Sequence, residues 1–171
     1  MADVGGHLNA GLHLRPSRDS DKGFLESLYR DVRQDLQLLA ADRDFIEAVL
    51  EMQVNAQSIG YGSAYPNALY YIVEKQGERI GRVTVDFGAD VIHVIDLALI
   101  RAARNRGYGA VVLQAVQSAA TQVMTPVSLS VDPLNTGAKL FYQRLGFRFE
   151  ALTGAVERWT WHPHPPQLKT S

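Results

Sequence analysis

Between two apolar segments the chain reads Arg104-Asn105-Arg106-Gly107-Tyr108-Gly109. The preceding segment, Val91 to Ile100, has the composition of a strand, and the following one, Ala110 to Val123, that of a helix. The two glycines remove side chains where the backbone bends tightly, so the first N–H groups of the helix can face a ligand. The helix dipole favours an anion there, and arginines add paired hydrogen bonds to phosphate oxygens. This loop therefore predicts a site for a pyrophosphate-bearing ligand.

Two other nucleotide-binding motifs do not fit the same loop. A Walker loop requires Gly-Lys-Ser or Gly-Lys-Thr, and neither tripeptide occurs in the chain. The dinucleotide-binding fingerprint requires a third glycine at the position of Val112. The sequence thus argues against a P-loop and against a dinucleotide-binding domain.

A second strand and helix unit follows. Val127-Ser128-Leu129-Ser130-Val131 alternates apolar and hydroxyl side chains, as a half-buried strand does. Asn135 is predicted to cap the next helix, and Gly146 to end it in a left-handed turn. Spacings of three and four residues place one apolar set on a single helix face: Ala138, Phe141, Tyr142 and Leu145. The hydroxyl of Tyr142 is the polar atom of that face.

The two units resemble the GNAT superfamily of acyl-CoA-dependent N-acetyltransferases. In that family an arginine or glutamine is followed three residues later by a glycine, and two residues after that by a glycine or alanine. Arg104, Gly107 and Gly109 match this pattern. The family's later motif is matched in order and spacing by Asn135, Ala138, Phe141, Tyr142, Gly146 and Phe147. The resemblance covers about residues 91–149.

The resemblance implies an α/β fold of the α+β type. Its centre would be a mixed, mostly antiparallel sheet of six to seven strands with helices on both faces and a splayed parallel pair at the cofactor site. Acetyl-CoA would be the co-substrate, with no metal. Leu97 and Leu99 would contact the pantetheine arm, and the Leu99 N–H would polarise the thioester carbonyl. The other cofactor-binding residues implied are Arg101, Arg104, Asn105, Arg106, Gly107, Tyr108, Gly109, Ala110, Asn135, Ala138 and Tyr142.

Aminolysis of a thioester requires proton transfer at two places. A lysine-like amine has an ordinary pKa near 10.4 and attacks only as the free base, so a general base or a water chain must remove a proton. The departing thiolate needs a proton in turn. Tyr142 is the candidate acid, because a phenol stays protonated at neutral pH and can donate. The alternative for Tyr142 is a core aromatic whose hydroxyl has a buried partner.

Two residues of one strand are candidate bases. His93 stands fourteen positions before Gly107, where some branches of the family place a glutamate base, and imidazole accepts a proton near neutral pH. Asp96 is its rival, although strand alternation predicts opposite faces for the two side chains unless a bulge intervenes. The alternatives are a strand histidine bonded to a neighbour and a carboxylate paired with an arginine.

Composition bounds the class of protein. The chain has 171 residues, 46% of them hydrophobic, which is the size of one well-buried domain over residues 1–171, with flexible ends near 1–10 and 163–171. Its formal net charge of −1 gives no overall positive potential that would attract nucleic acid or an anionic membrane. The absence of cysteine excludes disulfides and an acyl-cysteine intermediate. No signal peptide or membrane span is evident, so we expect a soluble cytoplasmic monomer or homodimer.

Periodicity and turn residues predict the remaining elements. A strand over 12–15 precedes a helix over about 20–36, capped by Asp19 or Ser20, and a second helix over about 44–58. Further strands are predicted over 69–74, 79–87, 91–100 and 155–161, with Gln76-Gly77-Glu78 as a hairpin turn.

The acceptor amine is left open by the sequence. The resemblance places its pocket at about residues 30–66 and 152–159, where possible contacts with a cationic amine are Asp31, Asp35, Asp42, Asp44, Tyr61 and Tyr65. A small-molecule amine and a protein amine both remain possible, and a solvated acidic helix face is the alternative to a pocket. A catalytically inactive CoA-binding sensor or assembly module is the alternative function.

Overall fold

The computed structural model describes residues 5–39 and 65–164, and the predicted helix over 44–58 lies outside them. The strands of the described part are β1 (Gly6–His7), β2 (Leu12–Pro16), β3 (Ala68–Lys75), β4 (Glu78–Phe87), β5 (Ile92–Leu99), β6 (Val127–Val131), β7 (Arg148–Thr153) and β8 (Val156–Trp161). Its α-helices are α1 (Lys22–Leu39), α2 (Tyr108–Gln122) and α3 (Thr136–Arg144).

All eight described strands form one sheet in the order β1-β2-β3-β4-β5-β6-β8-β7. Neighbouring strands are antiparallel except β5 and β6, which are parallel. The predicted mixed, mostly antiparallel sheet is therefore confirmed, with eight strands where six to seven were expected. The difference lies at the two edges: β1 has two residues, and β7 is too exposed to show an alternating pattern.

The helices lie on both faces of this sheet. On one face, Val112, Leu113 and Val116 of α2 belong to the same buried cluster as Val94 and Leu129 of the central strands. The apolar face of α3 packs against this cluster too. On the other face, Leu28 of α1 and Ile72 of β3 are buried outside the cluster, and α1 contacts β4 and β5.

Strand β5 contains a bulge that changes which side chains share a face. Thr84 of β4 pairs with Asp96, while the next residue, Val85, pairs with Val94, so Ile95 is the extra residue. Paired residues point to the same face of a sheet. His93 and Asp96 therefore lie on the same face, the one that α1 covers. The alternation that would separate them is wrong here, because the bulge adds one residue between them.

Strands β5 and β6 separate soon after they begin. Their ladder has three rungs, which join Ile92 to Val127, His93 to Ser128 and Val94 to Leu129. Beyond Val94, β5 continues to Leu99 beside β4, and its other edge has no strand partner in the described sheet. The predicted splayed parallel pair is thus present.

The start of α1 differs from the prediction. Neither Asp19 nor Ser20 caps the helix; they form a 3-10 turn with Asp21. The buried Asp21 carboxylate accepts hydrogen bonds from the Arg18 N–H at 2.8 Å and from both terminal nitrogens of Arg15 at 2.8 and 2.9 Å. Arg15 is on β2, so this contact anchors the helix start to the sheet. Arg15 lies six residues before Asp21 and outside the helix, so the rules for helix capping did not point to it.

Candidate active site

The glycine loop leaves the start of α2 open. Asn105 and Gly107 have positive φ angles of 59° and 82°, a conformation that asparagine and glycine adopt most easily. Gly107 is the N-cap residue and makes no side-chain capping bond, and its carbonyl accepts the first helical hydrogen bond, from Val111 at 3.2 Å. The N–H groups of Tyr108, Gly109 and Ala110 have no acceptor within the helix. This arrangement suits an anion.

Gly109 of α2 lies close to the Phe141 ring of α3. A Cβ atom at Gly109 would lie 3.4 Å from the Phe141 ring and 4.0 Å from a methyl group of Leu99. A larger side chain would push α3 away from the end of β5. The second glycine of the loop therefore sets the spacing between the helix start, the Tyr142 helix and the splayed strand.

The three arginines of this region have different surroundings. The Arg104 Nε donates to the carbonyl of Leu99 at 3.0 Å, and the Arg106 Nε donates to the carbonyl of Ala102 at 3.0 Å. Each side chain thereby stabilises the loop through its own Nε atom. Arg101 instead donates to the Gln34 side chain of α1 at 2.8 Å. Arg101 thus links the loop to the helix on the other face, a contact that its predicted phosphate role did not anticipate.

Tyr108, the first residue of α2, interacts with a lysine that the sequence did not single out. The Lys75 ammonium hydrogen-bonds the Tyr108 hydroxyl and lies 4.5 Å from the ring centroid. Lys75 ends β3, so its position next to the helix start depends on the sheet. It adds a positive charge to this end of the molecule.

The backbone of Leu99 faces the gap between the splayed strands. The Ile100 N–H donates to the Ile80 carbonyl of β4 at 2.8 Å. Along an antiparallel strand, successive residues direct their N–H and C=O groups to opposite edges. The amides of Leu97 and Leu99 therefore point away from β4, towards the side on which β6 has separated. The Leu99 carbonyl, which accepts from Arg104, lies on this same edge.

Helix α3 begins and ends as predicted. The Asn135 Oδ1 accepts the N–H of Ala138 at 3.0 Å, so this side chain caps its own helix. Gly146 has a φ of 93°, and the N–H groups of Gly146 and Phe147 close the last turn onto Gln143 and Tyr142. These contacts give Asn135 and Ala138 a structural role. The cofactor contacts implied for them stay a prediction.

Tyr142 lies on the apolar face of α3, partly buried against the core cluster. Its ring packs at 5.4 Å from that of Phe141 and at 6.0 Å from that of Phe147. Burial raises the pKa of the Tyr142 phenol, and the negative charge of Asp96 raises it further. Asp96 is on β5, so the phenol and this strand are close enough to interact electrostatically. The phenol stays protonated at neutral pH and keeps a proton to donate.

His93 is partly buried on the opposite side of β5. Burial lowers the pKa of its imidazole below the ordinary 6.5; Asp86 opposes the shift, and Arg158 reinforces it. The ring is therefore neutral at neutral pH, with one nitrogen able to accept a proton. The ring of Tyr65 packs against it edge-on, with centroids 5.4 Å apart. Tyr65, which belongs to the expected acceptor region, therefore contacts a candidate base.

Asp96, the rival base, is held by an ion pair. Its carboxylate hydrogen-bonds the Nε of Arg82, and both side chains are largely buried, with 22% and 15% of their surface exposed. Arg82 is on β4, two residues from the paired Thr84. Of the other residues expected near the acceptor, Asp31 and Asp35 lie on α1, while Asp42, Asp44 and Tyr61 fall outside the described residues.

A row of polar side chains beside His93 was not predicted. Ser128 of β6 pairs with His93, and Thr160 of β8 pairs with Ser128 on the same face. The Thr160 hydroxyl donates to Glu150 of β7. The hydroxyl alternation of β6 was visible in the sequence, but its neighbours come from strands that meet only in the folded sheet.

These features define a class of protein: a mixed sheet whose parallel strands splay beside an open helix start, with a protonated phenol on the helix after β6 and a neutral imidazole on β5. The profile of the acetyltransferase (GNAT) family matches residues 25–147. The chain therefore belongs to the GNAT family.

Individual relatives agree with this assignment. An uncharacterized N-acetyltransferase of Methanocaldococcus jannaschii is 30% identical over 94 residues, which cover 53% of this chain and 58% of that relative. The PaiA N-acetyltransferase of Thermoplasma acidophilum, solved with coenzyme A, superimposes with a TM-score of 0.66 at 17% identity, over 88% of this chain and 98% of that one. RimL, a ribosomal L7/L12 α-N-protein acetyltransferase also solved with coenzyme A, has a TM-score of 0.63 at 15% identity, over 91% and 96%.

Two further properties concern the described residues alone. In residues 5–39 and 65–164, no helix is long and apolar enough to cross a membrane. In the same residues, no group of three or more acidic or histidine side chains is arranged to hold a metal ion.

Proposed function

We propose that this protein transfers the acetyl group of acetyl-CoA directly to a primary amine while both substrates are bound. The observation that carries the proposal is the Leu99 amide, which faces the strand gap between the open start of α2 and the Tyr142 helix. On this proposal, an N–H donor, an anion site and a proton donor would act on the same bound thioester. Thioester aminolysis requires all three.

The start of α2 fits a pyrophosphate. Uncapped N–H groups, a glycine in the left-handed conformation and the guanidinium groups of Arg104 and Arg106 would hold it. The Leu97 and Leu99 amides would bind the pantetheine arm as an added strand, in the gap that β6 leaves. Acetyl-CoA would supply an activated acyl group as its thioester. PaiA and RimL were both crystallised with coenzyme A, and they share this fold.

The Leu99 N–H would donate to the thioester carbonyl oxygen, where negative charge develops as the amine attacks. A fixed backbone donor stabilises such charge without reorganising. His93 would accept the proton that the amine loses, because its pKa is lowered and the ring is neutral. Asp96 is the weaker candidate, since its carboxylate is engaged by Arg82.

Tyr142 would protonate the sulfur as the thiol leaves. Its pKa is raised by burial and by Asp96, so the phenol is protonated at neutral pH. A partly buried neutral donor is suited to a thiolate forming beside it. The proton that Tyr142 loses would be replaced from solvent after product release.

The acceptor would be a small-molecule amine or a protein amine. RimL is a protein α-N-acetyltransferase, which makes a peptide N-terminus one class to include in any panel. Neither nucleic acid nor a membrane is required by this reaction, and a monomer or homodimer would suffice.

Thiol release from acetyl-CoA tests the proposal. The purified chain is incubated with acetyl-CoA and a panel of polyamines, aminoglycosides, amino acids and peptides, and free CoA is followed with a thiol reagent. Acetyl-CoA binding is measured in parallel by calorimetry. Turnover with at least one amine supports the enzyme. Tight acetyl-CoA binding without turnover on any amine would favour the inactive sensor, and absence of binding would refute both.

A further inference from the structure

Two histidines lie side by side at the edge of the sheet formed by β1 and β2. His7 of β1 pairs directly with His13 of β2 in the antiparallel register. Directly paired residues have their side chains on one face, with Cβ atoms about 4.5–5.5 Å apart. Leu12 and Leu14, which alternate with His13 along β2, are buried in the core cluster. Both imidazoles therefore lie on the opposite face of the sheet.

One of the two imidazoles has a nitrogen without a partner. The Nδ1 atom of His13 is buried and forms no hydrogen bond within residues 5–39 and 65–164. A polar atom in that situation costs free energy that a ligand could recover. The ring of His7 is in contact with the His13 ring, with centroids 4.6 Å apart and planes inclined at 46°. Because His7 is exposed, the pair can be reached from solvent.

The spacing of the two rings matches that of two imidazole ligands on one metal ion. A metal bound about 2.0 Å from a ring nitrogen lies about 3.2 Å from the centroid of that ring. Two such rings have centroids about 4.5 Å apart when the metal–nitrogen bonds meet at a right angle, and about 5.2 Å apart at the tetrahedral angle. The observed 4.6 Å fits the right angle. A right angle is typical of tetragonal Cu²⁺, whereas Zn²⁺ prefers the tetrahedral angle.

The described neighbours of the pair supply no third ligand. Glu74 of β3 pairs with His13 on its other side, but its carboxylate hydrogen-bonds the Nε of Arg15. The opposite charges of Glu74 and Arg15 offset each other, so a cation beside His13 meets no strong repulsion. Water would fill the remaining positions around a metal held by the two imidazoles.

We propose that His7 and His13 together bind one tetragonal transition-metal ion, with Cu²⁺ the tightest, and that this ion ties β1 to β2. Imidazole suits such ions, and Cu²⁺ binds nitrogen ligands more tightly than the other divalent metals of its row. In the described sheet β1 pairs with β2 alone, and the turn of residues 9–11 that follows β1 contacts α2. An ion held by both strands fixes this edge. The site is independent of the proposed acetyl transfer.

Copper binding to the untagged chain tests the site. Cu²⁺ is titrated calorimetrically in the presence of glycine as a competing chelator, and pulsed EPR counts the imidazoles bound to the ion. We expect two bound imidazoles in the parent and one in His7→Gln. A second ligand on the same chain raises affinity by about 10²–10⁴-fold, so the Kd for Cu²⁺ should weaken by at least about a hundredfold in His7→Gln. His13→Gln should behave in the same way.

The other three of the five histidines provide the controls. His162 and His164 are exposed and follow β8, on the far side of the sheet from β1, so the measurements are repeated with both replaced by Gln. The tight site with two imidazoles should persist in this double variant, and in the double variant with His93→Gln added. Adding His7→Gln instead should abolish it. Loss of the site in the double variant, or its retention after His7→Gln is added, would overturn the proposal.

Hydrogen exchange followed by mass spectrometry tests the tie between the strands. The Leu8 N–H donates to the Leu12 carbonyl at 2.8 Å, next to the paired histidines. If opening of β1 breaks the metal site, free Cu²⁺ at about 100 times its Kd should slow exchange of this amide by up to about 100-fold. The Ile100 N–H, bonded to Ile80 in the middle of the sheet, is the reference amide and should not respond. A Leu8 exchange rate that stays unchanged when the parent is saturated with Cu²⁺, or that slows equally in His7→Gln, would contradict the proposal.

Discussion

Helices α2 and α3 both follow a strand of the splayed pair, yet they begin in opposite ways. Helix α2 begins after Gly107, which has no side chain to cap it, and α3 begins after Asn135, whose side chain bonds the Ala138 N–H. In α3 the Asn135 side chain accepts a hydrogen bond from the Ala138 N–H, so this amide is not available to a ligand. In α2 the amides are left open. The comparison teaches that α2 acts through its N-terminus, whereas α3 acts through a side chain on its face, Tyr142.

We expect the largest effect on kcat from a substitution of Tyr142 on the face of α3. Tyr142→Phe removes one oxygen and keeps the ring packing with Phe141 and Phe147. Because general acids typically contribute about 10²–10⁴-fold, we expect kcat to fall by about that factor, with little change in acetyl-CoA affinity. Steady-state kinetics and calorimetry measure the two quantities. Tyr70→Phe, at an exposed position of β3, is the control. Full activity of well-folded Tyr142→Phe protein would remove the acid role from α3.

The next effect should come from the open helix start. In Gly107→Val a β-branched residue must adopt a φ near 82°, and its side chain hinders approach of the pyrophosphate to the amides. Losing one or two bonds to a charged group corresponds to about a ten- to hundredfold weaker Kd for acetyl-CoA. Calorimetry measures the affinity, and thermal unfolding measures the stability.

Gly77→Val is the matched control for the loop glycine. Gly77 has a φ of 80° in the turn between β3 and β4, and an added Cβ there meets no atom within 4 Å, as at Gly107. The two variants should lose similar stability from backbone strain. Only Gly107→Val should lose affinity. Equal affinities in both variants would contradict the anion site at α2.

A smaller effect is expected at the capped helix start. Asn135→Ala removes the acceptor for the Ala138 N–H and should lower the free energy of unfolding by about 1 kcal/mol. The Kd for acetyl-CoA should change far less than in Gly107→Val. Denaturant unfolding and calorimetry on the same samples check both. A large loss of affinity with unchanged stability would show that Asn135 serves the cofactor and not the helix.

The smallest effect concerns the pH dependence of Tyr142. The Asp96 charge adds to the effect of burial in raising the phenol pKa. Asp96→Asn removes a negative charge, so the pKa should fall towards the ordinary 10, while burial still holds it above that value. The phenol then ionises at lower pH, and an alkaline limb of kcat controlled by Tyr142 should move the same way. Ultraviolet or NMR titration of the tyrosines measures the change. A rise in the pKa would contradict the electrostatic contact.

Local signals explain why the two motif units could be predicted. The loop before α2, the Asn135 cap and the Gly146 turn each depend on residues within one helix turn of one another, and all three are present as predicted. The observed start of the helix differs slightly from the predicted one, since α2 starts at Tyr108 and not at Ala110. Chain geometry over such short distances is set by φ preferences and capping bonds, which are properties of the residues themselves.

Contacts between paired strands explain the failures. Strict strand alternation predicts that His93 and Asp96 lie on opposite faces of the sheet. The bulge at Ile95, which forms where β5 pairs with β4, places both side chains on one face. Arg82 was not considered as a partner for Asp96, and Glu150 was not considered at all. Each is brought to its site by sheet pairing over 8–14 positions in sequence.

The sequence by itself determined the family, the glycine loop, the helix that carries Tyr142 and the order of the elements around them. It did so because capping, turn formation and helical spacing are local. Only the tertiary structure decided that the Leu99 amide faces the strand gap, that His93 is neutral and that Asp96 is paired with Arg82. Those properties depend on strand register, burial and the charges of residues far away in the chain, and these quantities exist only once the sheet has formed.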